Sequence, residues 1–206
     1  MYQPTHDVTN QVPPLEDRNL AQLDQPLMEC VRHYGAAADH RVLLSFGEAL
    51  GKRENLILGA DANVFPPTLK VFDRYGHRID EVRYHPAYHS LMSLAKAHGV
   101  HSVAWEGERR PGGHVCHTAL EYLLGQVESG ICCPLTMTYA VVPALEHNAQ
   151  LSALLRPKLL SRDYDPELKP VAEKSSVMMG MAIYCAFLVA VAAQLTFNLA
   201  YKVVWA

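Results

Sequence analysis

The sequence has no excess of basic charge and no basic stripe. Its 206 residues include 18 Lys and Arg against 21 Asp and Glu, for a formal net charge of −3. The basic residues that do adjoin come in isolated pairs, Lys52-Arg53 and Arg109-Arg110. A balance of this kind gives no general attraction to nucleic acid or to an acidic membrane surface. We therefore expect no nucleic-acid partner.

Several short motifs that would carry chemistry are also missing. There is no GxGxxG and no GxxxxGK[ST], which excludes a nucleotide phosphate cradle of either kind. No CxxC pair exists, and the five cysteines are irregularly spaced, so we expect a reduced intracellular protein with buried thiols. The first residues are polar and acidic where a signal peptide needs a basic start and an apolar stretch.

Histidines and carboxylates offer weak candidate sites. Two imidazoles stand at an i, i+4 spacing in His85 and His89, and His114 and His117 flank Cys116. The glutamate that follows the first histidine in zinc hydrolases is replaced by Pro86, so we expect no metal site. Candidate general bases are Glu106, Glu108 and Glu128 if they are buried. Ser161, with Asp163 and Asp165 nearby, lacks the GxSxG elbow of serine hydrolases.

What the chain does contain is helical periodicity. Apolar residues at helical spacing predict helices over 25–35 and 40–50, with Gly35 and Gly51 as C-terminal stops. Helices are also predicted over 86–97, 113–128 and 134–145, the first and last beginning on proline. Between them, "DRYG" flanked by alternating apolar residues predicts a hairpin. The body is mainly α with a small β-hairpin.

Five stretches occur in an order that resembles one family: "THDVTNQVPPLEDRNL", "LGADANVFPPTLKVFDRYGHRIDEVRYHPAYHSLM", "VAWEGE", "QVESGICCPLTMTYAVVPAL" and "LLSRDYDPEL". Together they resemble the N-terminal region of the AidB-type acyl-CoA dehydrogenases, flavoproteins linked in bacteria to the response to DNA alkylation. The resemblance extends from about Thr5 to about Met181. It implies an acyl-CoA dehydrogenase-like N-terminal helical domain, followed in the family by a β-barrel and a C-terminal helical bundle.

The resemblance also implies where the chemistry would lie. In the family FAD lies between barrel and bundle, and the catalytic carboxylate comes from the bundle. After "MMGMA" a Met-Thr-Glu motif and a glycine-rich loop would contact the flavin, but this chain has Ile183, Tyr184 and Cys185 there. We therefore expect no catalytic residue and no FAD bound by this chain alone. By resemblance, Thr136, Met137 and Thr138 line the flavin and acyl pocket.

The predicted organisation is an extended arm over residues 1–20, the helical domain over 21–165, an incomplete start of the barrel over 166–182 and an apolar tail over 183–206. No charged residue occurs from Ser175 to Tyr201. Residues 177–200 are long and apolar enough to form a membrane-spanning helix. Two readings of the tail stay open, an altered or truncated C-terminus and a tail anchor.

The function expected from these observations is a partial acyl-CoA dehydrogenase-like flavoprotein, inactive alone. The alternatives are a membrane-tethered non-enzymatic module and a modulator of a full-length relative. Partners are expected to be further copies of the chain or full-length relatives, bound through the arm and the helical domain. The expected location is the cytoplasm, or a membrane if the tail inserts.

Overall fold

The computed structural model of the chain describes Thr5, Asp7, residues 9–106 and residues 111–180. Residues 9–18 form neither helix nor strand, and eight α-helices and one hairpin follow within the described ranges. The α-helices are α1 Leu20–Leu23, α2 Gln25–Tyr34, α3 Ala37–Leu50, α4 Arg53–Val64, α5 Pro86–Ala97, α6 Gly113–Gly125, α7 Cys132–Leu145 and α8 Ala149–Leu160. The strands are β1 Thr68–Phe72 and β2 Arg78–Arg83, and short 3-10 turns cover Val103–Trp105 and Val171–Glu173.

Helix α6 lies at the centre of the core, because it packs against α2, α3 and α7. Its residues Leu120, Leu123 and Leu124 are fully buried, as are Phe46 of α3 and Leu91 of α5. A second, smaller apolar cluster joins α7 and α8 to the segment that follows α8. Burial of this apolar surface is the main force that holds the helices together.

Four of the eight described α-helices begin at a residue whose side chain caps the helix. The Asp24 carboxylate accepts the Leu27 amide at the start of α2, and Asn148 does the same for Leu151 in α8. At α5, His85 is the cap and accepts the Ala87 amide, while Pro86 occupies the first turn. These caps satisfy amides that a helix leaves without partners at its N-terminus.

Helix α4 is capped from a distance. The Asp17 carboxylate in the N-terminal arm accepts the Arg53 amide at 3.1 Å, and Glu16 lies 3.4 Å from the Arg53 guanidinium. The end of the arm is thus fixed against the junction of α3 and α4. At that junction Gly51 leaves room for the carbonyl of Arg18, which a β-carbon at position 51 would meet at 1.6 Å.

The predicted helices and the hairpin are confirmed, with ends shifted by a few residues. Leu69 pairs with Val82 across the antiparallel strands, and the turn is closed by the Asp73 carboxylate, which accepts the amides of Tyr75 and His77. Gly76 in this turn has a φ of 88°, a left-handed conformation that glycine adopts without steric cost. Helices α1, α4 and α8 were not predicted.

The C-terminal predictions have different outcomes. Residues 166–182 were predicted to start the barrel, but Ser175–Gly180 form no strand. Two amides there bond to the helical domain: Val177 N–H donates to the Lys158 carbonyl and Met179 N–H to the Thr138 hydroxyl. Residues 177–180 are likewise not helical, which corrects the start of the predicted apolar span. The remainder of the predicted tail helix lies outside the described residues. No helix within them is both long and apolar enough to cross a bilayer.

Candidate functional site

Helix α7 carries the three residues predicted to line a flavin and acyl pocket, and it turns them in different directions. Thr138 is buried and faces the segment after α8: its hydroxyl donates to the Pro134 carbonyl at 2.7 Å and accepts the Met179 amide at 3.0 Å. Thr136 faces α6, where its hydroxyl contacts the Glu121 carboxylate at 2.5 Å. Met137, between them, is half-buried. Each residue of a helix is rotated by about 100° from the last, so these three do not share one face.

Beside Thr136 lies a polar cluster that the sequence analysis did not predict. The His117 Nδ1–H group donates to the Val100 carbonyl at 2.6 Å, and Nε2 lies 3.7 Å from a Glu121 carboxylate oxygen. The imidazole stacks on the Tyr139 ring with centroids 3.7 Å apart. The i, i+4 spacing of His117 and Glu121 was the available signal. Burial, followed by the Glu121 charge, raises the pKa of Tyr139.

Tyr139 also joins this cluster to the 3-10 turn before α6. Its hydroxyl lies 2.7 Å from His114 Nδ1, and its backbone carbonyl accepts the Trp105 indole N–H at 3.0 Å. The contacts fix α6, α7 and residues 103–105 relative to one another. The cluster is a hydrogen-bond network that holds these parts of the structure in place.

The candidate metal ligands have separate structural roles. His85 caps α5 and stacks on Phe65, whereas His89 Nδ1 lies 2.8 Å from the Tyr164 hydroxyl. Burial lowers the pKa of His89 and raises that of Tyr164, so both are neutral partners. His114 and His117 bond to Tyr139 and Val100 as described. Within the described ranges no three His, Cys, Asp or Glu side chains are grouped to hold a metal ion.

The candidate carboxylates are held as structural acceptors. Glu106 receives two bonds from the Arg162 guanidinium, at 2.7 and 2.9 Å, and one from the Ser102 hydroxyl. Burial by itself raises the pKa of Glu106, but the bonds from Arg162 and Ser102 outweigh it, so the pKa is lowered. Glu128 accepts the amides of Gly130 and Ile131 before α7. Glu108 lies outside the described residues.

The serine and aspartates of "SRDYD" likewise form no nucleophile and base pair. The Ser161 hydroxyl accepts the Asp163 amide at 3.2 Å. Asp165 accepts the Ser175 amide and pairs with Lys169 at 3.0 Å. Although burial raises the pKa of Asp165, these bonds hold it at about 2. The carboxylate is therefore ionised and fixes the chain at Ser175.

The segment after α8 is held chiefly by Lys158. Its ammonium group donates to three backbone carbonyls, those of Val171, Ala172 and Lys174, at 2.7, 2.9 and 2.7 Å. All three ammonium hydrogens are thereby used. Together with Thr138, Lys158 determines the path of the chain toward Gly180. We refer to residues 165–180 as the C-terminal segment.

The described residues do not by themselves fit FAD. The hydroxyls of Thr136 and Thr138 are already engaged with Glu121, Pro134 and Met179. Two surface cavities of about 420 and 410 Å³ have other linings, one around Arg53 and one between α2 and α6. Neither cavity is lined by residues 136–138. A flavin site would therefore need groups outside the described part of the chain.

The described helices form the N-terminal helical part of an acyl-CoA dehydrogenase-like protein. The chain belongs to the family of the adaptive response protein AidB N-terminal domain, which matches residues 10–166. It is 42% identical over 189 residues to AidB of Escherichia coli (strain K12), an acyl-CoA dehydrogenase homologue, in an alignment that covers 89% of this chain. The predicted family is confirmed.

Two solved structures share the fold. The apo form of Bd2924 superposes with a TM-score of 0.65 and 29% identity over 75% of this chain. Caenorhabditis elegans ACDH-11, solved in complex with C11-CoA, superposes with a TM-score of 0.62 and 24% identity over 78% of this chain. The chain spans about a third of the length of these relatives: 34% of the Escherichia coli protein, 32% of Bd2924 and 29% of ACDH-11.

Proposed function

We propose that this chain forms the N-terminal helical part of an AidB-type, FAD-dependent acyl-CoA dehydrogenase-like protein and that residues 1–206 alone do not oxidise acyl-CoA. One observation carries the second half of this proposal. Each candidate base that the structure describes is committed elsewhere: Glu106 to Arg162, and Glu128 to the amides before α7. Proton abstraction requires a carboxylate that reaches the substrate.

The role proposed for the helical part is to support the chain that leads to the flavin in this family. Thr138 and Lys158 hold the C-terminal segment on α7 and α8 through the Met179 amide and three carbonyls. When bound, FAD would accept the hydride of an acyl-CoA oxidation. The residues of this chain would act by positioning the segment that precedes the flavin contacts.

The test is to purify the full chain, add FAD and measure bound flavin and dye-linked oxidation over a series of acyl-CoA lengths. We expect a helical, folded protein with neither stoichiometric flavin nor turnover above the blank. Circular dichroism confirms the helical content, so an unfolded sample cannot be mistaken for an inactive one. Stoichiometric FAD together with turnover would overturn the proposal of inactivity, although the family assignment would stand.

We also propose that the N-terminal arm binds another copy of the chain or a full-length relative. The arm is fixed at Asp17 and Glu16, but Val12 and Leu15 before them are 89% and 65% exposed. Exposed apolar side chains on a terminal segment suit a protein interface. Co-expression of the tagged chain with a full-length relative should give a complex that Val12→Ser with Leu15→Ser weakens. An unchanged complex in that double variant would assign the contact to another surface.

A further inference from the structure

Two buried nitrogen atoms at the C-terminal end of α5 have no hydrogen-bond partner among the described residues. They are Lys96 Nζ and His101 Nδ1, on side chains that are 0% and 1% exposed. An unsatisfied polar group in the interior destabilises the folded state, and more so when it is charged. We therefore expect both nitrogen atoms to have hydrogen-bond partners in solution.

The two nitrogen atoms need opposite partners. The His101 Nε2–H group donates to the Ser161 carbonyl at 3.0 Å, so the neutral ring presents a lone pair at Nδ1. Burial, followed by the charge of Lys96, lowers the pKa of His101 to about 3 and keeps the ring neutral. The Lys96 amino group has only hydrogens to offer when it is protonated. One atom therefore requires a donor and the other an acceptor.

The surroundings of these atoms come from three parts of the chain. Arg162 pairs with Glu106, donates to the Ala97 carbonyl at 3.4 Å and lies against Gly99, where a β-carbon would meet its guanidinium at 2.9 Å. Burial lowers the pKa of Lys96 to about 8, and the Asp163 carboxylate partly opposes this shift without forming an ion pair with Lys96 among the described residues. The end of α5, the loop after it and residues 161–163 thus converge on Lys96 and His101.

We propose that this convergence forms a buried water site, in which water accepts a hydrogen bond from Lys96 Nζ and donates one to His101 Nδ1. Water suits the pair because a single molecule both donates and accepts, and buried waters commonly satisfy such polar groups. A small anion does not suit it, because the lone pair of His101 and the carboxylates of Glu106 and Asp163 repel negative charge.

The site has a structural consequence that is independent of flavin or acyl-CoA. His101 already holds the Ser161 carbonyl, and Arg162 holds Glu106. Water between Lys96 and His101 adds a bond from α5 to the loop that positions residues 161–163. Only Tyr164 separates these residues from the C-terminal segment, so the water site fixes its start while Lys158 fixes its middle.

The experiment is a crystal structure of the full chain at a resolution where ordered waters are visible, with a parallel crystal soaked in sodium bromide. We expect density for ordered water about 2.7–3.2 Å from Lys96 Nζ and about 2.7–3.2 Å from His101 Nδ1. An anomalous bromide peak at this place, a direct protein acceptor on Lys96 Nζ, or two nitrogen atoms without any partner would each overturn the proposal.

A matched pair of variants isolates the role of Lys96. Lys96→Met removes the donor with a side chain of similar length, and Lys70→Met does the same to the partly exposed lysine of β1. In ¹⁵N-histidine-labelled protein, magnetisation transfer from long-lived water to His101 should be lost in Lys96→Met and retained in Lys70→Met. Retention in both variants would contradict the site. If Lys96→Met does not fold, the wild-type water density decides.

Discussion

Replacing Lys158 by methionine should release the C-terminal segment while leaving the helices folded. The ammonium group donates to the carbonyls of Val171, Ala172 and Lys174, which methionine cannot do. A hydrogen bond to a charged group contributes about 1.5–3 kcal/mol, but such bonds do not add fully. Because the site is only partly buried, we expect a local loss of about 2–3 kcal/mol in all.

Hydrogen exchange measured by mass spectrometry on peptides that cover residues 165–180 gives the readout. The amides of Glu173 and Lys174, bonded within the 3-10 turn, are the reporters. A local loss of about 2–3 kcal/mol corresponds to exchange that is roughly 30- to 150-fold faster. Peptides from α6 should exchange at the wild-type rate.

The matched control is Arg156→Met, which removes a basic side chain from the same helix. The Arg156 side chain makes no ion pair or hydrogen bond with the described residues, so this variant should exchange like the wild type. If Lys158→Met also exchanges like the wild type, the three carbonyl contacts do not hold the segment. If both variants accelerate exchange equally, a general loss of charge on α8 is responsible.

Two further predictions concern the arm and a buried histidine. Gly51→Ala should destabilise the fold and free the arm for proteolysis near Arg18, because its β-carbon would lie 1.6 Å from the Arg18 carbonyl. The control Gly125→Ala should be stable, because its β-carbon meets only Cys132 Sγ at 3.9 Å. Equal stability of the two variants would contradict the close approach of Arg18 to Gly51. Burial and then the charge of Lys96 hold the pKa of His101 at about 3, whereas the pKa of a histidine in the unfolded chain is about 6.5. The unfolded state therefore takes up a proton first, and the free energy of unfolding should fall as the pH falls from about 6.5 to 3. Urea unfolding of wild type and His101→Gln along this range should show a smaller fall in the variant, and parallel curves would refute the assignment.

The sequence predicted those elements whose signals are local. Pro86 and Pro134 mark the first turns of α5 and α7, and Gly76 marks the hairpin turn. Helix α4 was missed because Leu56, Ile57 and Leu58 are consecutive and give no helical stripe, while its cap, Asp17, lies 36 residues away. Helix α8 contains Pro157, which usually signals a break rather than a helix.

The contacts of the candidate site residues could not be predicted from the sequence, for a geometric reason. Thr136 and Thr138 are two residues apart, so helical rotation turns them to different neighbours, one to Glu121 and one to Met179. The residues near His89 include Tyr164, 75 positions later in the chain, and no spacing rule indicates that contact. Family resemblance pointed to α7, and the pocket lining by residues 136–138 stays a prediction; the packed structure shows what each side chain contacts.

The indole of Trp105 gives the packing of α7 an optical signature. Its N–H bonds to the Tyr139 carbonyl, and its ring lies 5.3 Å from the Tyr139 ring and 5.1 Å from His114, centroid to centroid. The sequence has one other tryptophan, Trp205, which lies outside the described residues. In a Trp205→Phe background, fluorescence therefore follows one place in the protein, the joint where residues 103–105 meet α7. Any separation of residues 103–105 from α7 changes the surroundings of Trp105, the one remaining tryptophan.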